Sequence, residues 1–138
     1  MTSLVLDCSM AVAWCFEDEA TPATDALLER VRRDGAAVPS LWHLEVSNTL
    51  LQAERRQRLT QARARRMLAV LAGLPIATDE TTGARVLHDI VPIARHHRLT
   101  TYDAAYLELA LRLARPLATR DRALLAAAAA TGTATLAG

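Results

Sequence analysis

Four carboxylates stand out by position. Asp7 ends the short apolar run Ser3 to Leu6, and Asp121 lies just past a second run, Leu117 to Thr119. If both runs are strands of a parallel sheet, both acids fall at strand carboxyl ends, where open α/β sheets place their sites. Glu45 lies in LWHLEVSNTLL, a stretch apolar nearly all round, with Leu41 and Thr49 on its helical face and Asn48 close by. A carboxylate set among Leu, Trp and Val is costly unless it is paired or binds a cation. Asp103 lies in TTYDAAYLELA, at the first turn of a predicted helix. Each acid also has a plainer role open to it. Asp7 and Asp121 suit helix N-caps, Asp103 suits the positive end of a helix dipole, and an arginine would satisfy Glu45. Gathered together, four carboxylates resist joint ionisation, and a divalent cation reverses that penalty. An all-oxygen set suits Mg²⁺ or Mn²⁺, which activate water and neutralise charge on a phosphodiester.

Composition narrows the alternatives. All 16 cationic Lys/Arg positions are Arg, so the P-loop, Schiff-base and kinase-type phosphate chemistries that need a lysine are excluded. Aromatic residues are 4% of the chain, too few for a base-stacking platform, and the net charge of +1 does not by itself announce a nucleic-acid binder. Cys8 and Cys15 are too far apart on one helix for a disulfide and read as small buried hydrophobes, in keeping with a reducing, cytoplasmic setting. The first residues, MTSLVLDCSM, lack the features of a signal peptide, and no apolar run is long enough for a membrane span. His43, His88, His96 and His97 read as surface or helix-end residues, since adjacent histidines on a helix diverge and His43 faces away from Glu45. Arg55, Arg56, Arg58, Arg63, Arg65 and Arg66 cluster across the end of one helix and the start of the next. They suit a solvated helical hairpin or a phosphate-contacting rim for RNA.

The elements that position these residues alternate. Strands are expected at Ser3–Leu6, Ala36–Val38, Leu74–Ala77, Pro116–Thr119 and Thr133–Leu136. Helices are expected from a Ser9 cap through Phe16, from Pro22 to Arg33, from Pro39-Ser40 to Arg56, and from Thr60 to Gly73. Others should run from Thr81 or Thr82 to Arg98 with a kink at Pro92, from Thr100-Thr101 to Arg115, and over 122–131. This is an α/β layer fold in one domain, 1–138, with a short, mostly parallel sheet of four or five strands and about seven helices.

The segments VLDCSMAVAWCFEDE, PSLWHLEVSNTLL and LTTYDAAYLELALRLARPLATRDRALLAAA together resemble a PIN domain. More narrowly, they resemble the VapC-type toxins of bacterial toxin–antitoxin pairs, from Leu4 to about Gly132. The resemblance implies a Mg²⁺- or Mn²⁺-dependent ribonuclease with Asp7, Glu45, Asp103 and Asp121 as its acids. It also implies Ser9 and Thr119 as supporting hydroxyls, a small antitoxin partner, and a homodimer that assembles further with it. Cys8 between Asp7 and Ser9, and Arg120 before Asp121, are small departures that remove no acid. A PIN nuclease without an antitoxin and a non-catalytic interaction module whose acids are helix caps are the alternative expectations.

Overall fold

A computed structural model describes residues 2–137. Among these residues, five strands form one sheet in the order β3-β2-β1-β4-β5, with every neighbouring pair parallel. The strands are β1 (Val5–Leu6), β2 (Ala36–Pro39), β3 (Ile76–Asp79), β4 (Leu117–Ala118) and β5 (Thr135–Leu136). The helices are α1 (Cys8–Ala13), α2 (Pro22–Asp34), α3 (Trp42–Arg55), α4 (Gln61–Ala72), α5 (Thr82–Arg85), α6 (Val91–His97), α7 (Thr101–Leu113) and α8 (Arg122–Thr131). A 3₁₀ turn over Glu17–Glu19 follows α1, and a π-helical turn over Val86–Ile90 joins α5 to α6. If that bent run counts as one unit, the described residues hold seven helical α units around the sheet, as the alternation implied.

The central strands are apolar on both faces because both faces are covered. Leu4, Val5, Leu6, Ala36, Val38, Leu117 and Ala118 are buried, packed with Met10, Leu50, Tyr106, Leu107, Leu109 and Leu124 from the helices. Val5 pairs with Ala37 on one side and Leu117 on the other, so β1 lies at the centre. Sequential strands run outward from β1 one way (β2, β3) and then the other (β4, β5). The carboxyl ends of β1 and β4 therefore flank the point where the winding reverses, the crevice in which such sheets bind ligands. Gly35 makes the tight entry into β2. Its φ is +77°, and a Cβ there would stand 2.9 Å from the Pro75 carbonyl oxygen.

Several boundaries differ from expectation. Ser9 does not cap α1. Asp7 occupies the N-cap position, and Ser9 lies within the first turn, its hydroxyl turned to Asp7 and to Arg120 instead. α1 ends at Ala13 rather than reaching Phe16, because the chain turns into the acidic Glu17–Glu19 segment. Pro39 closes β2 rather than opening α3, which starts at Trp42. β3 lies two residues later than the apolar run Leu74–Ala77, since this edge strand is only partly buried. The bend expected at Pro92 is taken up by the π turn just before it, where the ladder widens ahead of a residue that has no N–H to give.

Candidate active site

Asp7, Glu45, Asp103 and Asp121 line one cleft of about 510 Å³ at the β1–β4 reversal. Asp7 follows β1, its N–H donating to Ala118 of β4 at 2.9 Å, so the two strand ends are tied at the acid itself. Its side chain is buried and makes no capping bond. Instead Oδ2 accepts from Ser9 Oγ at 2.6 Å and Thr119 Oγ1 at 2.7 Å. Thr119 Oγ1 in turn accepts the Asp121 N–H at 3.0 Å, so one buried hydroxyl touches both strand-end acids. Asp121 does cap α8, its Oδ1 accepting from the Leu124 N–H at 2.8 Å. Asp103 stands in the first turn of α7, where Thr100 supplies the cap, and its own carboxylate makes no capping bond. Glu45 reaches the cleft from α3, and Tyr106 donates its hydroxyl to Oε1 at 2.6 Å.

None of the four acids forms a salt bridge among the described residues, so the arginine partner allowed for Glu45 is not what satisfies it. Burial pushes the Asp7 carboxyl up, against its two hydroxyl donors, and the Asp121 charge adds to the rise. Burial likewise raises Glu45, with Asp7 and Asp103 adding repulsion and the Tyr106 hydroxyl opposing it. Asp103 is pushed up to about 6 by burial, then by Asp121 and Asp7. Asp7, Glu45 and Asp103 are thus each raised by burial and by at least one neighbouring carboxylate of the cleft.

That donor set fits a hard divalent cation: carboxylate oxygens, some oriented by hydroxyls, and none tied up in a salt bridge among the described residues. Among the described residues, no three His, Cys, Asp or Glu side chains converge as a formed metal centre.

The remaining sequence candidates divide. Ser9 and Thr119 meet at Asp7, with 3.3 Å between their hydroxyls. Asn48 is exposed on α3 and does not line the cleft; Thr49 and Gln52 do. Of the arginine cluster, Arg56 and Arg58 line the cleft, while Arg63 and Arg66 line an adjoining groove with Arg58. Arg55 and Arg65 are exposed and line neither. Cys15 is buried, but Cys8 is only half-buried and lines the cleft. Burial and the neighbouring Glu45 and Asp7 push its thiol up to about 12. None of the four histidines lines the cleft; His43 is exposed and stacks edge-on against Trp42 at 5.0 Å.

Three residues at the cleft escaped sequence reasoning. Tyr106 was given no role, although it lies one turn after Asp103. Arg120 was noted only as a departure before Asp121 and was given no role at the cleft. Glu19 gave no local signal, because its partners are distant in the chain.

Known proteins offer three comparisons. The family model described as PIN domain matches residues 4–130. The curated protein Ribonuclease VapC3 of Pyrobaculum aerophilum is 31% identical over 121 residues, covering 88% of this chain and 91% of that one. Among solved structures, the crystal structure of PAE2754 from Pyrobaculum aerophilum superposes with a TM-score of 0.71 at 26% identity, over 98% of this chain and 91% of that one. The structure of FitAB bound to an IR36 DNA fragment superposes with a TM-score of 0.62 at 16% identity, over 97% and 94%, a likeness of fold.

Proposed function

The chain belongs to the PIN domain family, and on that premise we propose that it is a Mg²⁺- or Mn²⁺-dependent endoribonuclease, the toxin of a toxin–antitoxin pair. One observation carries the reading: four carboxylates, none salt-bridged among the described residues, line a single cleft at the reversal point of the sheet. The capping alternative accounts for only one of them, Asp121. The curated relative's name, a ribonuclease, supports RNA as the substrate.

Asp7, Glu45, Asp103 and Asp121 would hold the cation, which when bound supplies an activated water and offsets charge on the phosphodiester. Ser9 and Thr119 fix the Asp7 carboxylate, and Tyr106 fixes Glu45, so that the oxygens are oriented before any ligand arrives. The arginines at the rim offset the repulsion that a negative cleft exerts on a polyanion. Of the six arginines suspected from sequence, Arg56 and Arg58 have the best position for RNA contact.

A small antitoxin and a second copy of the chain are the partners of this reading. Leu44, Leu87 and Tyr102 are exposed apolar side chains that such partners would cover. No described helix is long and apolar enough to cross a membrane, and the cytoplasm is the compartment that an RNA substrate implies. The test is to co-express the chain with the product of the adjacent reading frame, free it, and assay RNA cleavage with and without Mg²⁺. Co-purification with Mg²⁺-dependent cleavage is expected. Cleavage that is indifferent to chelation overturns the metal reading, and absence of any bound partner overturns the toxin assignment.

A further inference from the structure

Three cationic side chains line the acidic cleft, Arg56, Arg58 and Arg120. Two of them are tied to one carboxylate. Glu19 Oε2 accepts from Arg58 Nη2 at 2.6 Å, and Oε1 accepts from Arg120 Nη1 at 2.9 Å. Asp18 adds longer contacts to Arg58 at 3.4 Å. The three residues come from three separate parts of the chain: the turn after α1, the turn after α3 and the segment after β4.

Each arginine is held a second way, Arg58 through its guanidinium and Arg120 through its main chain. The Arg58 guanidinium carbon lies 3.7 Å from the centroid of the Phe16 ring, a cation–π contact. Gln57 before it adopts the left-handed region, at φ 61°, which swings Arg58 back over the cleft side of the hairpin. Arg120 is anchored by its backbone, whose N–H donates to Ser9 Oγ at 2.9 Å. It therefore stands one residue from Asp121 on a fixed main chain.

The three side chains keep 27–47% of their surface open to solvent, and ion pairs that open contribute modestly to stability, so stability is a weak reason for this much convergence. The cleft supplies a stronger one. A nucleic-acid strand entering a pocket of four carboxylates is repelled unless cations meet its phosphates at the mouth. Arg58 makes its hydrogen bonds through Nη2 alone, and Arg120 makes its side-chain bond through Nη1 alone. The remaining donors of each planar fork suit phosphate oxygens, and fixed guanidiniums lose little freedom on binding.

We propose that Arg58 and Arg120, bridged by Glu19, form a phosphate subsite at the cleft mouth that grips the RNA strand beside the scissile bond. Glu19 holds the two guanidiniums in place and, by its charge, sets how tightly they bind. The subsite reads phosphate and not base or 2′-hydroxyl. It rests on the nuclease reading above for its substrate, but it is tested apart from it.

The test is fluorescence anisotropy of a labelled single-stranded RNA and of DNA of the same sequence, over a salt series with chelator present so that nothing is cut. The Arg58→Gln/Arg120→Gln double variant should bind both strands more weakly. Its slope of log affinity against log salt should be shallower by about 1.4, since each lost phosphate contact removes about 0.7. Glu19→Gln keeps an oxygen acceptor for one of the two guanidiniums and removes the opposing charge from both, so it should bind both strands more tightly than the unaltered chain. The opposite signs separate a phosphate subsite from a merely structural cluster, in which all three changes weaken binding alike. An unchanged salt slope in a folded double variant, or weaker binding by Glu19→Gln, overturns the subsite. If circular dichroism shows the double variant unfolded, the sign of the Glu19→Gln effect decides. A parallel Mg²⁺ cleavage assay of the unaltered chain keeps the two readings distinct. Cleavage with an arginine-independent salt slope sinks the subsite alone, and arginine-dependent binding without cleavage supports the subsite while overturning the nuclease.

Discussion

The Tyr106 hydroxyl donates to Glu45 Oε1 at 2.6 Å from a side chain that is itself fully buried. The bond joins α7 to α3 across the floor of the cleft, and it is the one hydrogen bond that the Glu45 side chain makes among the described residues. A donor to a carboxylate favours its charged form, and here it opposes the burial that pushes Glu45 up. Tyr106→Phe keeps the ring in the core and deletes only the hydroxyl. Glu45 should then rise further and lose its fixed orientation. Metal affinity by calorimetry should drop about 10–100-fold, the usual cost of losing a partner that orients a ligand, with little change in melting temperature. Unchanged affinity would leave Tyr106 as core packing only.

The acid cluster also predicts how stability depends on pH. A carboxyl whose folded pKa lies above its unfolded value binds its proton more tightly when folded. Asp103 rises from 3.8 to about 6, and Asp7 and Glu45 shift the same way. Their contribution is full below the ordinary carboxylate range and is lost as the pH climbs through about 6. Without metal, the protein should therefore melt at a lower temperature at pH 7.5 than at about pH 5. Mn²⁺ at pH 7.5 should recover the difference, because it binds the ionised cluster of the folded chain. A metal-free melting temperature that rises between those pH values would contradict a repelling cluster.

How much of this was visible in the sequence follows from burial. The apolar runs at β1, β2 and β4 were legible because these strands are covered on both faces. β3 was misplaced because an edge strand keeps part of its surface exposed and so shows no clean run. The four acids were legible because three of them stand just past a strand or at the start of a helix, where position narrows their roles. Glu45 showed itself as a charge in apolar surroundings. Ser9 was misread as a cap because a hydroxyl two residues past a strand serves either a helix end or a neighbouring carboxylate, and only the fold of β4 beside it decides. The pairing of Glu19 with Arg58 and Arg120 spans 39 and 101 residues, beyond any local pattern. Asn48 was placed by spacing alone, and of the two residues about one turn after Glu45 it is Thr49, the one expected on the same helical face, that lines the cleft.

Charge removal at Glu45 gives a second test of the site. Glu45→Gln keeps the shape and an oxygen for the Tyr106 hydroxyl while deleting a charge that Asp7 and Asp103 repel. RNA cleavage should be abolished, and metal-free melting at pH 7.5 should be unchanged or higher. A variant that melts early yet cleaves normally per folded molecule would make Glu45 a structural residue.

Thr119 gives the sharpest separation of scaffold from site. Its hydroxyl is buried, donates to Asp7 Oδ2 at 2.7 Å and accepts the Asp121 N–H at 3.0 Å. Thr119→Val nearly preserves volume, so packing is kept while both bonds are lost. The Asp121 N–H then has no acceptor from this residue, and Asp7 keeps only Ser9 as a hydroxyl donor. Leaving such groups unpaired costs about 1–3 kcal/mol, readable as a lower urea midpoint with an unchanged slope. Metal affinity should drop as well, by about 10–100-fold, because two proposed ligands lose one shared support. Thr119→Ser restores the hydroxyl without the methyl and should recover most of the affinity while giving up some packing. Ser9→Ala removes the other donor to Asp7 and leaves the Asp121 N–H bond intact, so its effect on metal affinity should be the smaller of the two. A Thr119→Val chain that is destabilised but binds Mn²⁺ as tightly as the unaltered protein would confine this hydroxyl to the scaffold.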